Sequence, residues 1–222
     1  MSRTHLLFDI DQTLLASNHA GGAAMRRAFA AVDGAAEAFA DLKYEGRTDL
    51  WIVRQVALAC GVDEAVLMTT YREVYPSMLR EEVKERDAHA LPGTGALLES
   101  LVSRDDVAMG LGTGNWRDTA FIKLGHAGLA HYFETGGFGD RHDNRPDILR
   151  EGAAALGWQT GERLVVIGDS EHDITGAHAV GAVAVGVATG SWSEDQLEAA
   201  GADAVLSDLS DLGRAVAVLL GE

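Results

Sequence analysis

Two aspartates, Asp9 and Asp11, stand one residue apart directly after the apolar residues 6–8. A buried strand that ends there holds two carboxylates that repel each other, and such a pair is stable only where a cation or a proton offsets its charge. Carboxylate oxygens are ligands that Mg²⁺ prefers, and a neutralised carboxylate can approach an anionic substrate as a nucleophile. The pair is therefore a candidate for metal-assisted chemistry on an anion, with a shared proton as the alternative.

Polar residues also follow two later apolar runs, 107–112 and 163–168. In chain order they are Thr113, Gly114, Asn115, Asp169 and Asp173. A single Asp-x-Asp or Thr-Gly-Asn sequence is common, since both are ordinary turn and helix-start chemistry. Three polar sets at successive strand ends are more specific, because ligands of open α/β sheets bind beyond the carboxyl ends of the strands.

Short apolar runs that alternate with amphipathic stretches predict the elements that carry these residues. The predicted strands are 5–10, 107–112, 135–139, 163–168, 182–187 and, more weakly, 203–206. Uninterrupted apolar strands between helices are typical of a parallel sheet covered on both faces. The fold class is therefore predicted as α/β, with a Rossmann-like parallel-sheet core.

The stretch between the first two strands is too long for a single crossover helix. It shows no convincing strand and reads as helices at about 20–32, 48–60, 63–84 and 93–104. We therefore predict an all-α insert at residues 16–90, and a core domain made of residues 1–15 and 91–222. The alternative is a larger helical layer packed directly on the sheet.

Composition narrows the function classes. The chain has 222 residues, 47% of them hydrophobic, a net charge of −16 and one cysteine. This acidity disfavours a nucleic-acid or anionic-membrane binder, and one cysteine excludes an internal disulfide. With no membrane-span pattern and no secretion-signal layout, we expect a cytoplasmic protein, monomeric or homodimeric, without nucleic-acid or membrane partners.

The motifs FDIDQTLL (8–15), LGTGN (111–115) and VIGDSEHD (166–173) resemble the first, second and fourth motifs of the haloacid dehalogenase-like (HAD) superfamily, in its phosphatase branch. The insert is similar to that family's helical cap. The segments 46–49 and 91–101 resemble its phosphoglycolate-phosphatase-like members. The resemblance covers essentially the whole chain and implies a HAD-like fold.

The resemblance also implies roles for single residues. Asp9 is expected to be the nucleophile that forms an aspartyl-phosphate and also a ligand of Mg²⁺. Asp11 is expected to protonate the leaving oxygen, then to activate water, and to bind Mg²⁺ through its main-chain carbonyl. The Thr113 hydroxyl and the backbone N–H groups of Gly114 and Asn115 are expected to bind phosphoryl oxygens. Asp169 is an expected metal ligand, and Asp173 is expected to support the metal.

The third motif of the family is a basic residue, usually lysine followed by proline. The chain has Arg145-Pro146 at the matching place, and Lys123 is the rival candidate. Arginine keeps its charge and can bind phosphate with two donors. Lys123 lies about two turns into its predicted helix, at ~1.5 Å per residue, which predicts a position away from the strand ends on a solvent-exposed helix face. Arg145 is therefore favoured.

We expect a Mg²⁺-dependent phosphatase acting on a small phosphorylated metabolite. The alternative is a phosphomutase of the β-phosphoglucomutase type, which uses the same aspartyl-phosphate. A non-catalytic phosphate binder is disfavoured because every reacting residue is present. Arg47 lies in a polar loop between predicted helices of the insert, and we predict that it binds the leaving group of the substrate. A surface ion pair with Glu45 or Asp49 is the alternative. Thr48 and Asp49 are expected to cap a helix. His172 is expected to lie at the surface, with contact to the substrate as the alternative.

Overall fold

The computed structural model describes residues 3–222, so residues 1 and 2, at the start of the predicted core segment, lie outside the described part. The described chain has eight strands: β1 (Thr4–Phe8), β2 (Leu15–Ala16), β3 (His89–Ala90), β4 (Val107–Gly112), β5 (Gly136–Gly137), β6 (Arg163–Gly168), β7 (Val183–Val187) and β8 (Ala204–Leu206). Its α-helices are α1 (Ala20–Phe29), α2 (Ala35–Ala40), α3 (Asp49–Cys60), α4 (Glu64–Glu85), α5 (Thr94–Val102), α6 (Arg117–His126), α7 (Arg145–Ala155), α8 (Glu171–Ala179), α9 (Glu194–Ala199) and α10 (Leu212–Leu220). A 3₁₀ turn covers Ala130–Tyr132.

Six strands form one parallel sheet in the order β5-β4-β1-β6-β7-β8. The chain begins at the centre with β1, builds outward through β4 and β5, and then returns to the other side of β1 with β6. The strand order therefore reverses at β1, and its carboxyl end lies between those of β4 and β6. This switch point is where an α/β sheet binds its ligand.

Helices cover both faces of the sheet, as predicted. On β1, Leu6 and Phe8 pack into one apolar layer with residues of α5, α6 and α10, while Leu7 packs into the opposite layer with residues of α7 and α8. This alternation follows from the two-residue period of a strand, and both layers are buried because each is covered by helices. The α/β, Rossmann-like fold class is confirmed.

The insert has an apolar core of its own. Its centre is an aromatic cluster in which Tyr71 stacks on Phe29 at 4.8 Å and on Tyr75 at 4.7 Å between ring centroids. Trp116, which precedes core helix α6, packs edge-on against Tyr71 at 5.1 Å. The insert is thus a separately packed helical body, and Trp116 and Ile122 of the core pack against it.

Two short strands join the insert to the core. Leu15 of β2 pairs with Ala90 of β3, and Ala16 pairs with His89, in antiparallel register. The two-stranded pair lies where the predicted division between core and insert falls, although the division itself stays a prediction. The sequence indicated no strand after residue 18 within the insert, so β3 corrects that expectation.

Most element bounds follow local sequence signals. Helix α3 begins after Thr48, whose hydroxyl accepts a hydrogen bond from the Trp51 backbone N–H at 3.1 Å, and ends before Gly61 in the left-handed region. The predicted helix 20–32 is shorter than expected, ending at Phe29, and α2 was not predicted. Six residues are too few to show a helical period, so α2 depends on packing of Phe39 against Phe29.

No helix among residues 3–222 is long and apolar enough to cross a membrane.

Candidate active site

The carboxyl ends of β1, β4 and β6 open into a cavity of about 490 Å³ between the core and the insert. Both bodies contribute to its walls. Core side chains include Asp9, Asp11, Thr113, Asn115, Lys123, Arg145, Asp169, His172 and Trp192, and insert side chains include Ser17, His19, Met25, Tyr44, Arg47 and Ile52. All the site residues predicted from the sequence line this cavity except Asp173, which is buried beside it.

Asp9 lies at the bottom of the cavity, directly after β1, and is 6% exposed. Its Oδ1 accepts a hydrogen bond from Nη1 of Arg145 at 3.3 Å. Burial is the largest influence on the pKa of its carboxyl group, which is raised to about 7. The positive charge of Arg145 lowers this pKa, and the negative charges of Asp173 and Asp11 raise it further. The surroundings of Asp9 therefore disfavour its charged form, and Arg145 offsets this only in part.

Three carboxylates form a cluster that could hold a metal ion. One oxygen from each of Asp9, Asp169 and Asp173 lies within 4.8 Å of the others. Burial and then repulsion from Asp173 and Asp9 raise the pKa of Asp169 to about 8. A divalent cation relieves both the repulsion and the desolvation, and oxygen ligands suit Mg²⁺. The donor set fits magnesium.

Asp173 has two roles in the structure. Its Oδ2 accepts hydrogen bonds from the Ser170 hydroxyl at 2.7 Å and the Ser170 backbone N–H at 3.2 Å, a capping box at the start of α8. Its Oδ1 lies 3.2 Å from Nε of Arg145. The helix cap fixes the carboxylate, so the same residue supports both the helix and the acidic cluster.

Arg145 reaches the acidic cluster from the first position of α7. Asn144 caps this helix by accepting from the Asp147 backbone N–H at 3.0 Å, and Arg145 points inward with only 7% exposure. Its guanidinium contacts Asp9, Asp173 and, through Nη1, the Gly112 carbonyl at 3.1 Å. The structure thus places Arg145 where the sequence predicted a basic residue.

The expectation for Lys123 was wrong. Lys123 is 3% exposed, and its Nζ donates to Asp11 Oδ2 at 2.5 Å and to Asn115 Oδ1 at 2.7 Å. Side chains on a helix lean towards its N-terminus, so a long lysine two turns along α6 still reaches back to the strand ends. The site therefore contains two buried cations, each assigned to a different carboxylate of the first motif.

Asp11 points away from the three-carboxylate cluster and towards Lys123. Burial raises the pKa of its carboxyl, but the attraction and hydrogen bond of Lys123 and the hydrogen bond of Asn115 outweigh it, so the pKa lies below the ordinary value. The Asp11 side chain is not part of the metal cluster. This leaves its main-chain carbonyl, as the resemblance implied, as the group it could offer to a metal.

The loop of residues 113–115 follows β4 and precedes α6. Thr113 is fully buried, and its hydroxyl accepts from Nδ2 of Asn115 at 2.9 Å. The same amide group donates to Asp11 at 2.9 Å, a side-chain role that the sequence did not indicate. Gly114 lies against the insert: a Cβ there would come within 2.7 Å of the Arg47 carbonyl oxygen, so only glycine permits this approach.

Thr48 caps α3 as predicted, whereas Asp49 does not cap its own helix. The Asp49 carboxylate is buried and accepts a hydrogen bond from the backbone N–H of Trp116 at 3.0 Å. Its own backbone N–H donates to the Gly114 carbonyl at 2.9 Å. Asp49 thus joins the insert to the start of core helix α6, and burial raises the pKa of its carboxyl to about 7, against the lowering effect of Lys123.

Arg47 and His172 lie at the cavity mouth. Arg47 is exposed, its guanidinium lies 4.7 Å from the Trp51 ring centroid, and within residues 3–222 it forms no ion pair with Glu45 or Asp49. His172 is half-buried rather than on the surface, which corrects the expectation, and burial followed by the charges of Arg47 and Arg145 lowers its pKa. Both side chains are available to a molecule in the cavity.

A family model described as haloacid dehalogenase-like hydrolase matches residues 6–187. The chain belongs to this family. The match extends from β1 to the end of β7, so it includes all three strand ends and the whole insert. The resemblance read from the motifs is confirmed, and the protein is an enzyme of a hydrolase family.

Solved structures share the fold over nearly their whole length. A hydrolase from Pseudomonas syringae has 25% identity and a TM-score of 0.74, covering 96% of this chain and 98% of that one. A β-phosphoglucomutase from Clostridium difficile has 18% identity and a TM-score of 0.71, covering 96% and 93%. A structure described as a predicted phosphoglycolate phosphatase from Haemophilus somnus has 17% identity and a TM-score of 0.69, covering 97% and 99%. No curated protein sequence matches.

Sequence reasoning missed residues that this haloacid dehalogenase-like chain brings to the site from outside the motifs. Trp192, Tyr44 and Met25 line the cavity but follow no strand end and carry no motif. One signal was present for Lys123: it is the sole lysine between residues 85 and 222, in a stretch rich in arginine. A single lysine among arginines is compatible with a specific contact. Composition alone, however, does not show where the Lys123 side chain lies.

Proposed function

We propose that this haloacid dehalogenase-like hydrolase is a magnesium-dependent phosphatase that hydrolyses a small phosphorylated metabolite through an aspartyl-phosphate on Asp9. The observation that carries the proposal is the setting of Asp9, which is buried at the switch point of the sheet with Arg145 at 3.3 Å. A carboxylate there can attack a phosphorus atom only if the charges of both partners are neutralised. Arg145 supplies part of that neutralisation, and a metal ion held by the acidic cluster would supply the rest.

The metal would be held by Asp9, Asp169 and the main-chain carbonyl of Asp11, and Asp173 would add its charge to the site. Bound there, Mg²⁺ supplies a positive charge that offsets the carboxylates and binds a phosphoryl oxygen. The Thr113 hydroxyl and the backbone N–H groups of Gly114 and Asn115 are the proposed ligands of the other phosphoryl oxygens. Arg145 fixes Asp9 and stabilises charge on the phosphoryl group.

The proposed reaction has two halves. In the first, an oxygen of Asp9 bonds to phosphorus, the bond from phosphorus to the leaving oxygen breaks, and the leaving oxygen takes a proton from Asp11. In the second, Asp11 takes a proton from water, whose oxygen bonds to phosphorus while the bond to Asp9 breaks. Inorganic phosphate leaves, and both aspartates return to their starting states.

The size and lining of the cavity support a small substrate. A volume of about 490 Å³ lies within the usual range for small-molecule sites. The insert contributes Arg47, Tyr44 and Met25 to the cavity wall, and we propose that this part of the wall contacts the leaving group. We propose a compact organic phosphate as substrate.

The cytoplasmic location and the monomeric or dimeric state expected from the sequence stay predictions.

A phosphomutase of the β-phosphoglucomutase type is the second candidate, because enzymes of that description share the fold. Both reactions begin with the same aspartyl-phosphate, and they differ in whether water or a sugar hydroxyl receives the phosphoryl group. A phosphomutase excludes water from the closed site and releases little phosphate from simple esters.

A screen of phosphorylated metabolites with Mg²⁺, scored by release of inorganic phosphate, tests the proposal. We expect turnover of several small monoesters, a requirement for the metal and loss of activity in Asp9→Asn. Conversion of a sugar monophosphate to its isomer without phosphate release would favour the phosphomutase. Full activity in excess EDTA would exclude the metal-dependent mechanism.

A further inference from the structure

Gln12, in the turn after β1, holds a backbone conformation that suits glutamine poorly. Its φ is +58°, in the left-handed region, where Cβ lies too close to the following carbonyl oxygen. Among residues 3–222, the other non-glycine residues in this region are Asn18, His19 and Asp87, whose residue types are the ones enriched there. Glutamine is not among those types, so its side chain needs a separate reason to be at this position.

The turn is held at Gln12 by two backbone contacts. The Gln12 N–H donates to the Leu15 carbonyl at 2.8 Å, and the Gln12 carbonyl accepts from the Thr189 hydroxyl at 2.5 Å. Leu15 begins β2 and Thr189 lies in the loop after β7, so two separate parts of the chain fix the turn. Glycine would make both contacts without the crowding at Cβ, because they use only the backbone. The backbone thus gives no reason for a glutamine.

The position of Gln12 supplies a reason. Gln12 is half-buried and lines the same cavity as Asp9 and Arg145. Its carboxamide, which can both donate and accept, forms no hydrogen bond with any residue of the range 3–222. Residues in unfavoured backbone conformations persist where their surroundings fix them, and they concentrate at binding and active sites. The conformation, the cavity and the free amide together indicate a group that binds a ligand.

The chemistry of the amide indicates which part of a ligand it binds. A neutral group that both donates and accepts matches a hydroxyl group, which does the same. A carboxylate on the ligand would pair better with a cation such as Arg47. Trp192, three residues after Thr189, lines the same cavity and offers an apolar ring to carbon atoms. An amide and an aromatic ring in one cavity suit a hydroxyl-bearing carbon chain.

We propose that Gln12 is a specificity-determining residue that hydrogen-bonds a hydroxyl group of the leaving group. This inference rests on the proposed phosphatase function, since it concerns which monoesters the site prefers. An ester with a hydroxyl group gains a hydrogen bond to Gln12. An ester without one leaves the amide unpaired in a cavity that the substrate has filled, and its kcat/KM is lower for that reason. Gln12 keeps both amide protons throughout, and no atom is transferred to it.

The experiment measures kcat/KM for glycerol 3-phosphate and n-propyl phosphate with Mg²⁺. Both esters have a propyl carbon chain, and they differ only in hydroxyl groups. We expect the unchanged protein to prefer glycerol 3-phosphate about tenfold and Gln12→Ala to prefer it less than about threefold, since one neutral hydrogen bond is lost. The loss should fall on glycerol 3-phosphate, because n-propyl phosphate has no group for the amide to bind.

A second variant tests the backbone conformation. Gln12→Gly removes the amide and the crowded Cβ together, so it should show the same loss of preference but melt about 2–4 °C above Gln12→Ala. Asp87→Gly, at a left-handed position outside the cavity, is the matched control and should leave the preference between the two esters unchanged. Gln159→Ala, at an exposed glutamine outside the cavity, should leave both kcat/KM values unchanged.

Equal losses of kcat/KM on both esters in Gln12→Ala would overturn the hydroxyl contact, and so would an unchanged preference. The same holds if Gln12→Gly melts below Gln12→Ala, or if the unchanged protein hydrolyses p-nitrophenyl phosphate but shows no preference for glycerol 3-phosphate. If Gln12→Ala unfolds, Gln12→Gly provides the comparison of the two esters, since glycine fits the turn. Failure of the phosphatase proposal itself looks different: the unchanged protein would release no phosphate from any of the three esters, or Asp9→Asn would remain active.

Discussion

The strand-end cluster and the contact between insert and core are built in different ways, although they meet in one cavity. The strand-end cluster comprises Asp9, Asp169 and Thr113, each of which follows a strand directly, so the sheet alone sets their positions. The insert–core contact comprises Asp49 of the insert, which accepts from the Trp116 backbone N–H, and helix α1, which lies beside the Lys123 ammonium group; both contacts form only because two separately packed bodies dock. The first region is set by topology and the second by tertiary packing.

This difference explains what could be predicted from the sequence. Strands β4 and β6 have the bounds that their apolar runs predicted, and residues that follow parallel strands must gather at one edge. Periodicity says nothing about how a helix lies over a neighbouring body. The rise along a predicted helix placed Lys123 on a solvent-exposed face, and residue type made Asp49 a cap of its own helix; both expectations were wrong.

The family resemblance predicted more site residues than the pattern of strands and helices did, but only residues within the motifs. It supplied Arg145 at the third motif, where the structure puts a buried cation next to Asp9. It supplied nothing for the side chain of Asn115, because the family expectation concerned the backbone at that position. The contact between Asn115 and Asp11 therefore emerged only from the packing of the structure.

The largest expected effect tests the strand-end cluster. Asp9→Asn keeps the shape of the side chain but removes the nucleophile, so kcat should fall at least about 10³-fold on any monoester. Circular dichroism should show a folded protein, since the amide can still accept from Arg145. Asp105→Asn, an exposed aspartate in the turn before β4, is the matched control and should keep full activity. Activity of Asp9→Asn near that of the control would remove Asp9 from the mechanism.

The next effect compares the two cations. Arg145→Ala should reduce kcat on p-nitrophenyl phosphate by about 10²–10³-fold, the typical loss of a contact that stabilises transition-state charge. It should exceed the loss of Lys123→Ala on the same ester. Thermal stability should fall as well, because the buried carboxylates lose their partner. Arg150→Ala, an exposed arginine of the same helix, should change neither rate nor melting temperature. A larger loss for Lys123→Ala would assign the third motif to Lys123.

A smaller, selective effect is expected at the mouth of the cavity. The strand-end residues contact only the phosphoryl group that all substrates share, so selectivity must come from other parts of the cavity wall, the insert among them. Arg47→Ala should lower kcat/KM about tenfold to 10²-fold for the best metabolite of the screen, the size of one charged hydrogen bond. It should leave p-nitrophenyl phosphate hydrolysis unchanged, because that ester offers Arg47 nothing to bind. Arg80→Ala, an exposed arginine of α4 outside the cavity, is the control. Equal losses of kcat/KM on both esters would contradict recognition of the leaving group by Arg47.

The smallest effect concerns the stability of the insert–core contact and its dependence on pH. Burial raises the pKa of Asp49 to about 7 in the folded protein, from 3.8 in the unfolded chain. Between these values the folded state binds a proton that the unfolded state does not, so this residue lowers stability as pH rises from about 4 to 7, with no further change above. The Asp49→Asn variant has no such titration, yet its amide oxygen can still accept from the Trp116 backbone N–H.

The melting temperature of Asp49→Asn relative to the unchanged protein should therefore rise with pH and level off near pH 7. A gain of several degrees at pH 8 over that at pH 4.5 is expected, since about 1 kcal/mol shifts the midpoint by roughly 2–4 °C in a chain of this size. Measuring both proteins in EDTA keeps the titrations of Asp9 and Asp169 equal, so they cancel in the difference. A difference that stays flat from pH 4.5 to 8 would mean that Asp49 is ionised in the folded state, held by Lys123 as a second ion pair. The insert would then be docked on the core by charge rather than by the hydrogen bond to Trp116.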